Sequence, residues 1–317
     1  MSDVNRRAAV GKGPEVTYRL DPDRPLVDEV RRVALEGLDD AIDRLRETGA
    51  HADLEDDVHE ARKRGKEVRG LIRLVRPALG DAYAAVNAEV RDGARELSSL
   101  RDAHALVDTV EDLIAALDGN GTDDLERLAG HLRTGASAAT DGVDGDDPRI
   151  AVARSRMETA RAMVATWPGA IDVEAVAGGV AKTATRGRKA WKASRKDAGD
   201  EQVHEWRKRV KYLWYQARLL EAADPDGIGP LVAQLDELSD LLGDEHDLTV
   251  LVEHAERAAG TDEMAGVDGD RIVDLARARQ ATLRTAALHL GEEVYGDGVD
   301  ALVGKLVDQW PVQSSAA

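Results

Sequence analysis

Val58-His59-Glu60-Ala61-Arg62-Lys63-Arg64-Gly65-Lys66 and Val203-His204-Glu205-Trp206-Arg207-Lys208-Arg209-Val210-Lys211 are one nine-residue phrase written twice, 145 residues apart, with seven positions identical. The same offset lays Leu97-Ser98-Ser99-Leu100-Arg101-Asp102 on Leu242-Gly243-Asp244-Glu245-His246-Asp247. Two blocks in one register mark an internal repeat. Apolar residues around them recur at three- and four-residue spacing over 26–46, 58–77, 82–100, 103–117 and 122–133. They do so again over 149–166, 172–195, 202–222, 229–242, 247–259, 270–290 and 297–309. This is helical periodicity, and strand signals are almost absent. The predicted fold is all-α, built from a duplicated helical unit.

Punctuation sets the expected boundaries. Residues 1–20 read as irregular, with an extended run from Glu15 to Leu20. A first helical repeat occupies 21–135. The Gly-, Ala-, Ser-, Thr- and Asp-rich stretch 136–147, followed by Pro148, reads as the linker. A second helical repeat fills 148–310, and 311–317 form a tail.

Composition narrows the chemistry. The chain has 317 residues, 61 acidic and 43 basic, a net charge of -18 and no cysteine. Disulfide scaffolds, zinc ribbons and thiolate catalysis are excluded. Phenylalanine is absent, so the core must come from Leu, Val, Ala and Ile. No apolar run approaches the roughly 18 residues a membrane helix needs, and the expectation is a cytoplasmic protein without membrane partners. The Asp-rich, Lys-poor balance resembles proteins of salt-rich cytoplasm; a GC-rich coding bias gives the same composition.

Acidity argues against polyanionic partners, but the average conceals polarisation. Segment 58–76 holds seven basic and two acidic residues, and segment 182–218 holds twelve basic and four acidic ones. At 100° per residue, His59, Arg62, Lys63, Lys66, Arg69, Arg73 and Arg76 share about 140° of one helix face. Ala61, Val68, Ile72 and Val75 lie opposite. The second copy repeats the arc with His204, Arg207, Lys208, Lys211 and Arg218. There Trp214 stands for Arg69, Tyr215 lies on the same face, and Glu221 stands for Arg76. Like charges at helical neighbour spacing repel by about 0.2–0.5 kcal/mol per pair. Either acidic neighbours in the fold or a bound polyanion must neutralise such a face. The preceding helix of the second half carries a further stripe of Lys182, Arg186, Lys189, Lys192 and Lys196, and cations clustered with cations point to a groove for an extended polyanion. His59 and His204 each open a helix in this reading, placed to donate to an anion. Asp102 and Asp247 are expected to cap the helices that follow them. Arg101 and His246 remain ambiguous between structural and binding roles.

Other chemistry finds little support. There is no P-loop motif. Asp118, Asn120 and Thr122 begin like a calcium loop, but Asp123 and Ala129 occupy the Gly and Glu positions. A metal-dependent phosphohydrolase site around His204, His246 and Asp247 would set the metal among repelling cations. Single-stranded nucleic acid calls for stacking aromatics along the groove, and the first half has none there, so nucleic acid is disfavoured.

The paired V-H-E-x-R-K-R-x-K blocks, each followed about 35 residues later by an L-x-x-x-R/H-D block, resemble the conserved histidine α-helical domain (CHAD) family over about residues 20–310. The resemblance implies two pseudo-symmetric helical bundles around a basic central cavity that binds inorganic polyphosphate without catalysis. It carries to His59, Arg62, Lys63, Lys66, Arg73, His204, Arg207, Lys208, Lys211 and Arg218. With the rest of the cationic faces, Arg69, Arg76, Arg101, Arg186, Lys189 and Tyr215, these form the expected polyphosphate-binding set, with no cofactor, metal ligand or catalytic residue. It leaves association with polyphosphate granules open. The departures are His246 for arginine, and Trp214 and Glu221 in the second helix. Two alternatives stand beside this reading: an enzyme acting on phosphoanhydrides, and a scaffold docking an acidic protein.

Overall fold

The computed structural model describes residues 18–48, 54–117, 121–167 and 171–298. Within them the chain forms α1 (Leu26–Glu47), α2 (Leu54–Leu74), α3 (Arg76–Leu79), α4 (Asp81–Glu96), α5 (Ser98–Ala116), α6 (Asp123–Thr140), α7 (Pro148–Ala165), α8 (Val173–Lys196), α9 (Asp200–Leu220), α10 (Pro225–Ala258) and α11 (Gly269–Glu293), with no strand among the described residues. The expected helix 297–309, residues 1–17 and the tail lie outside them, apart from the first two residues of that helix. The aspartate-rich composition has a local use. Asp147, Asp172, Asp224 and Asp268 each accept a backbone N–H at the start of α7, α8, α10 and α11, with Pro148 and Pro225 opening two of these helices. Such caps satisfy donors that a helix start leaves unpaired.

Helix starts follow the repeat. Leu26, Leu54, Asp81 and Asp123 recur 145 residues on, within two residues, as Val173, Asp200, Pro225 and Gly269. The hydrophobic cores, however, are not divided as the sequence repeats are. The largest joins Val30 and Leu38 of α1, Leu71 and Ile72 of α2 and Val86 of α4 to Val180 of α8, Leu213 of α9 and Leu235 of α10. A second joins Leu113 of α5 and Leu128 of α6 to Leu251 of α10 and Ile272 of α11. Each core draws helices from both halves. Leu, Val, Ala and Ile supply most of these cores, joined by the buried aromatic rings of Trp191, Trp206 and Tyr295.

Four local expectations are corrected. The stretch expected as a linker from 136 stays helical to Thr140, because Ala136 is buried and Thr140 Oγ donates back to its carbonyl at 3.1 Å. The segments 229–242 and 247–259 are one helix of 34 residues, α10. Its middle is pinned through buried Glu245, which accepts from Arg284 Nε of α11 at 2.8 Å. Asp247 therefore lies inside α10 and Asp102 inside α5, and neither caps a helix. His59 and His204 are likewise not helix-opening residues, since α2 starts at Leu54 and α9 at Asp200.

One close approach sets the position of α8. A Cβ at Gly179 would lie 1.8 Å from the Leu74 carbonyl oxygen, so only glycine lets α8 rest on the end of α2. A Cβ at neighbouring Gly178 meets nothing within 4 Å. Gly179→Ala is expected to lower stability by roughly 1–3 kcal/mol through overpacking. Gly178→Ala should raise it by about 0.5–1 kcal/mol through helix propensity. Chemical denaturation of the two variants checks the opposite signs.

Candidate functional site

The two histidine-bearing helices cross at close range. A Cβ on Gly70 of α2 would stand 2.7 Å from Cβ of Tyr215 on α9. Tyr215 lies 145 residues beyond Gly70, so the crossing occurs where a position meets its own repeat counterpart. A second pair of contacts is reciprocal in the same way. The Arg73 guanidinium sits 3.9 Å over the Tyr212 ring, and Arg218 Nη1 lies 3.2 Å from Glu67 Oε1. Arg218 is the counterpart of Arg73, and Tyr212 that of Glu67. Exchange of roles between equivalent positions is what a two-fold relation produces.

Around the crossing, cations from both helices converge. Lys66 of α2 stands near Arg62, near Arg101 of α5 and near Arg207 and Lys211 of α9, and Arg101 is near both Arg62 and Arg207. Burial pushes the Lys66 ammonium down to about 8, helped by Arg62, Arg101, Lys211 and Arg207. By surface area Lys66 is exposed, yet protein atoms crowd it. The crowding governs its charge, because it displaces the water that would screen the neighbouring cations. Lys211 is lowered by burial and then by Arg207, with Asp240, Asp236 and Asp247 opposing. Burial lowers Arg62, Arg69 and Arg207 as well.

Ion pairing separates the expected residues. Lys63 pairs with Glu60 at 3.0 Å and Lys208 with Glu205 at 2.7 Å, the same pair in both repeats. Arg218 is held by buried Glu67. Arg62, Lys66, Arg69, Arg73, Arg76, Arg101, Arg186, Lys189, Arg207 and Lys211 have no carboxylate within ion-pair distance among the described residues. Arg62 instead donates to the Ala94 carbonyl at 2.8 Å and Ser98 Oγ at 2.9 Å, and Arg69 to Asn87 Oδ1 at 3.2 Å. Arg76 lies 4.6 Å over the Tyr83 ring. The Nε atoms of Arg62, Arg73 and Arg207 are buried without a hydrogen-bond partner.

The histidines are drawn in with these cations. His59 is lowered by burial first and then by Arg101, with Lys66 and Lys63 adding to it. His204 is lowered by burial, Lys208 and Arg207. The His204 and His246 rings are 4.6 Å apart, and burial, Arg207 and His204 together push His246 down to about 4. These shifts favour the neutral form of all three rings in the free protein.

Two expected residues do not join this cluster as binding groups. Tyr215 shares the cationic arc on the wheel, but the helix crossing buries it, edge-on to Tyr18 with ring centres 6.1 Å apart. Lys189 is exposed on α8, outside the residues lining the cavity beside the crossing. That cavity, of about 260 Å³, is lined by Arg73, Arg76, Lys182, Arg186, Arg209 and Tyr212 together with small residues of α3 and α8. The spacing of Lys182 four residues before Arg186 was a legible sign of it. Tyr212 and Asn87 carried no sign, since their roles arise from contacts across elements. On the other side, Arg101 also lines a cavity of about 550 Å³ with Asp108, Asp112, Asp244 and Asp247. Among the described residues no group of three or more His, Asp or Glu side chains is arranged to hold a metal ion. No described helix is long and apolar enough to cross a membrane.

Comparison with known proteins adds the following. The family model of the CHAD domain matches residues 19–85 and 33–256. The chain is similar in fold to the crystal structure of the CHAD domain from the plant Ricinus communis, at 18% identity and a TM-score of 0.56, covering 86% of this chain and 94% of that one. No curated protein shows detectable sequence similarity to it.

Glu67 is a buried carboxylate at the crossing, gripping Arg64 at 2.8 Å and Arg218 at 3.2 Å. Glu67→Ala leaves Arg218 without its carboxylate and Arg64 with Asp40 alone, and is expected to cost about 3 kcal/mol, measured by denaturant unfolding.

Proposed function

The chain belongs to the CHAD family, and from that premise we propose that it binds inorganic polyphosphate, without turning it over, at the cationic cluster between α2 and α9. The observation that carries this reading is the pattern of pairing: Arg62, Lys66, Arg101, Arg207 and Lys211 crowd together from three helices with no carboxylate in ion-pair distance among the described residues. Crowded like charges raise the free energy of the empty site, and a linear anion with one charge per phosphate relieves that repulsion. Arginine offers a planar fork for two phosphate oxygens, and lysine a point charge between them. The unpartnered Nε atoms of Arg62 and Arg207 are further donors suited to such oxygens.

A polyanion with bases fits less well. Trp206 and Tyr215 are buried, and Trp214 is flanked by Lys211 at 5.1 Å and Arg218 at 4.8 Å. The aromatic rings beside the cations, Tyr212, Tyr83 and Trp214, are already covered by Arg73, Arg76, Lys211 and Arg218, so their faces are engaged rather than offered to bases.

The double substitution Lys66→Glu and Lys211→Glu places two carboxylates at the centre of the cluster. It is expected to abolish retention of polyphosphate in a filter-binding assay while far-UV circular dichroism keeps its helical signal. Retention at the wild-type level would refute the reading.

Proton linkage gives an independent check. A bound polyanion raises the pKa of Lys66 and of the three histidines above their free values. Groups whose pKa rises on binding add affinity fully below the free pKa and lose it as pH climbs through the bound value. Affinity should therefore fall as pH rises above about 8, the free value of Lys66, and binding at pH 7 should take up protons through the histidines. Calorimetry in buffers of different ionisation enthalpy measures that uptake.

A further inference from the structure

The cavity beside the crossing is surrounded by different charges from the corresponding place in the other half of the molecule. That place is located through Arg64 and Arg218, the counterparts of Arg209 and Arg73. In the first half that place is filled by carboxylates. Asp40 of α1 accepts from Arg64 Nε at 2.7 Å, and Glu67 holds Arg64 and Arg218. In the second half the counterpart of Glu67 is Tyr212, and α8 presents Lys182 and Arg186 towards Arg209 where α1 presents Asp40 towards Arg64. Arg209 has turned to Glu205, one turn back on its own helix. The other four cations, Arg73, Arg76, Lys182 and Arg186, have no carboxylate partner among the described residues, and Nε of Arg73 is buried and unbonded. One half thus has a neutralised ion-pair network, and the other an open cavity of about 260 Å³ walled by cations.

The cavity is also connected to the cluster at the crossing. Lys66, Arg69 and Arg73 succeed one another at three- and four-residue spacing along one face of α2, a row of about 10 Å at 1.5 Å per residue, and Arg76 follows as the first residue of α3. An anionic chain laid along this row leads from the crossing into the cavity. The geometry points to the cavity as the receptor for the end of the chain: the terminal phosphoryl group of a linear polyphosphate, which carries one more ionisable oxygen than the groups inside the chain. Its second charge is what distinguishes it at a site of four unpaired cations. The internal phosphates, each singly charged, stay with the cluster at the crossing. This rests on the binding reading above, and it gives the bound chain a polarity that the repeated cluster alone lacks.

The test uses the full chain and two probes: a short linear polyphosphate with free ends, and the same chain with both terminal phosphates capped as phosphoramidates, which removes the extra terminal charge. Calorimetry is run on the wild type and on Lys182→Glu/Tyr212→Glu, which puts at 212 the residue that stands at 67. Lys182 is exposed and Tyr212 half-buried, so unfolding is not expected, and circular dichroism with a thermal melt verifies this. The wild type should bind the free-ended chain about ten-fold or more tighter than the capped one, the scale of one lost charge-assisted contact. The variant should lose that preference and keep wild-type affinity for the capped chain. Equal affinity of the wild type for both probes, or equal weakening of both by the variant, overturns end recognition. Failure of the wild type to bind either probe would instead overturn the binding reading itself. If the variant melts early, Lys182→Gln alone carries the test with the same two probes.

Discussion

The constraint on which the structure turns is the crossing of α2 and α9 at Gly70. With no Cβ at that point, the two backbones come near enough for Tyr215 to pack against Gly70 and for the cationic faces of both helices to share one space. Bringing like charges together is unfavourable, and displacing water from between them makes it more so. The fold bears this cost because each hydrophobic core takes helices from both halves, so the crossing is fixed by apolar packing on the far sides of α2 and α9. The depressed pKa values of Lys66, Lys211, Arg62 and Arg207 express that strain electrostatically.

The acidic residues around this core are not uniformly spread. Several cap helices, as Asp147, Asp172, Asp224 and Asp268 do. Others flank the cluster at a distance: Asp236, Asp240 and Asp247 of α10 act on Lys211 through space without pairing with it. Asp244, raised by burial and by Asp112, Asp240 and Asp247, belongs to an acidic cavity next to Arg101. A negative rim around a positive floor sharpens the local field and leaves the net charge of -18 compatible with an anionic ligand.

The two halves share a phrase but not a charge balance. Glu60–Lys63 and Glu205–Lys208 are the same ion pair in both. Glu67 against Tyr212 is the difference that matters most. A carboxylate at one position closes a site by joining Arg64 to Arg218, and a phenol at its counterpart leaves Arg73 stacked and its cavity open.

Helical class, the repeat and the cationic faces were legible in the sequence, because period, identity and charge are properties of neighbours along one chain. The wheel correctly grouped Arg62 and Lys66, and the 145-residue offset paired them with Arg207 and Lys211. It misplaced Tyr215, which a single helix shows on the cationic arc and a crossing partner buries. It split α10 at a Gly-Asp-Glu-His stretch that Glu245 and Arg284 hold helical from outside. Which cations keep no carboxylate partner, and where a cavity opens between α2, α8 and α9, were decided only by tertiary structure. Both depend on the distance between groups on different helices, and that distance is fixed by packing rather than by the order of residues.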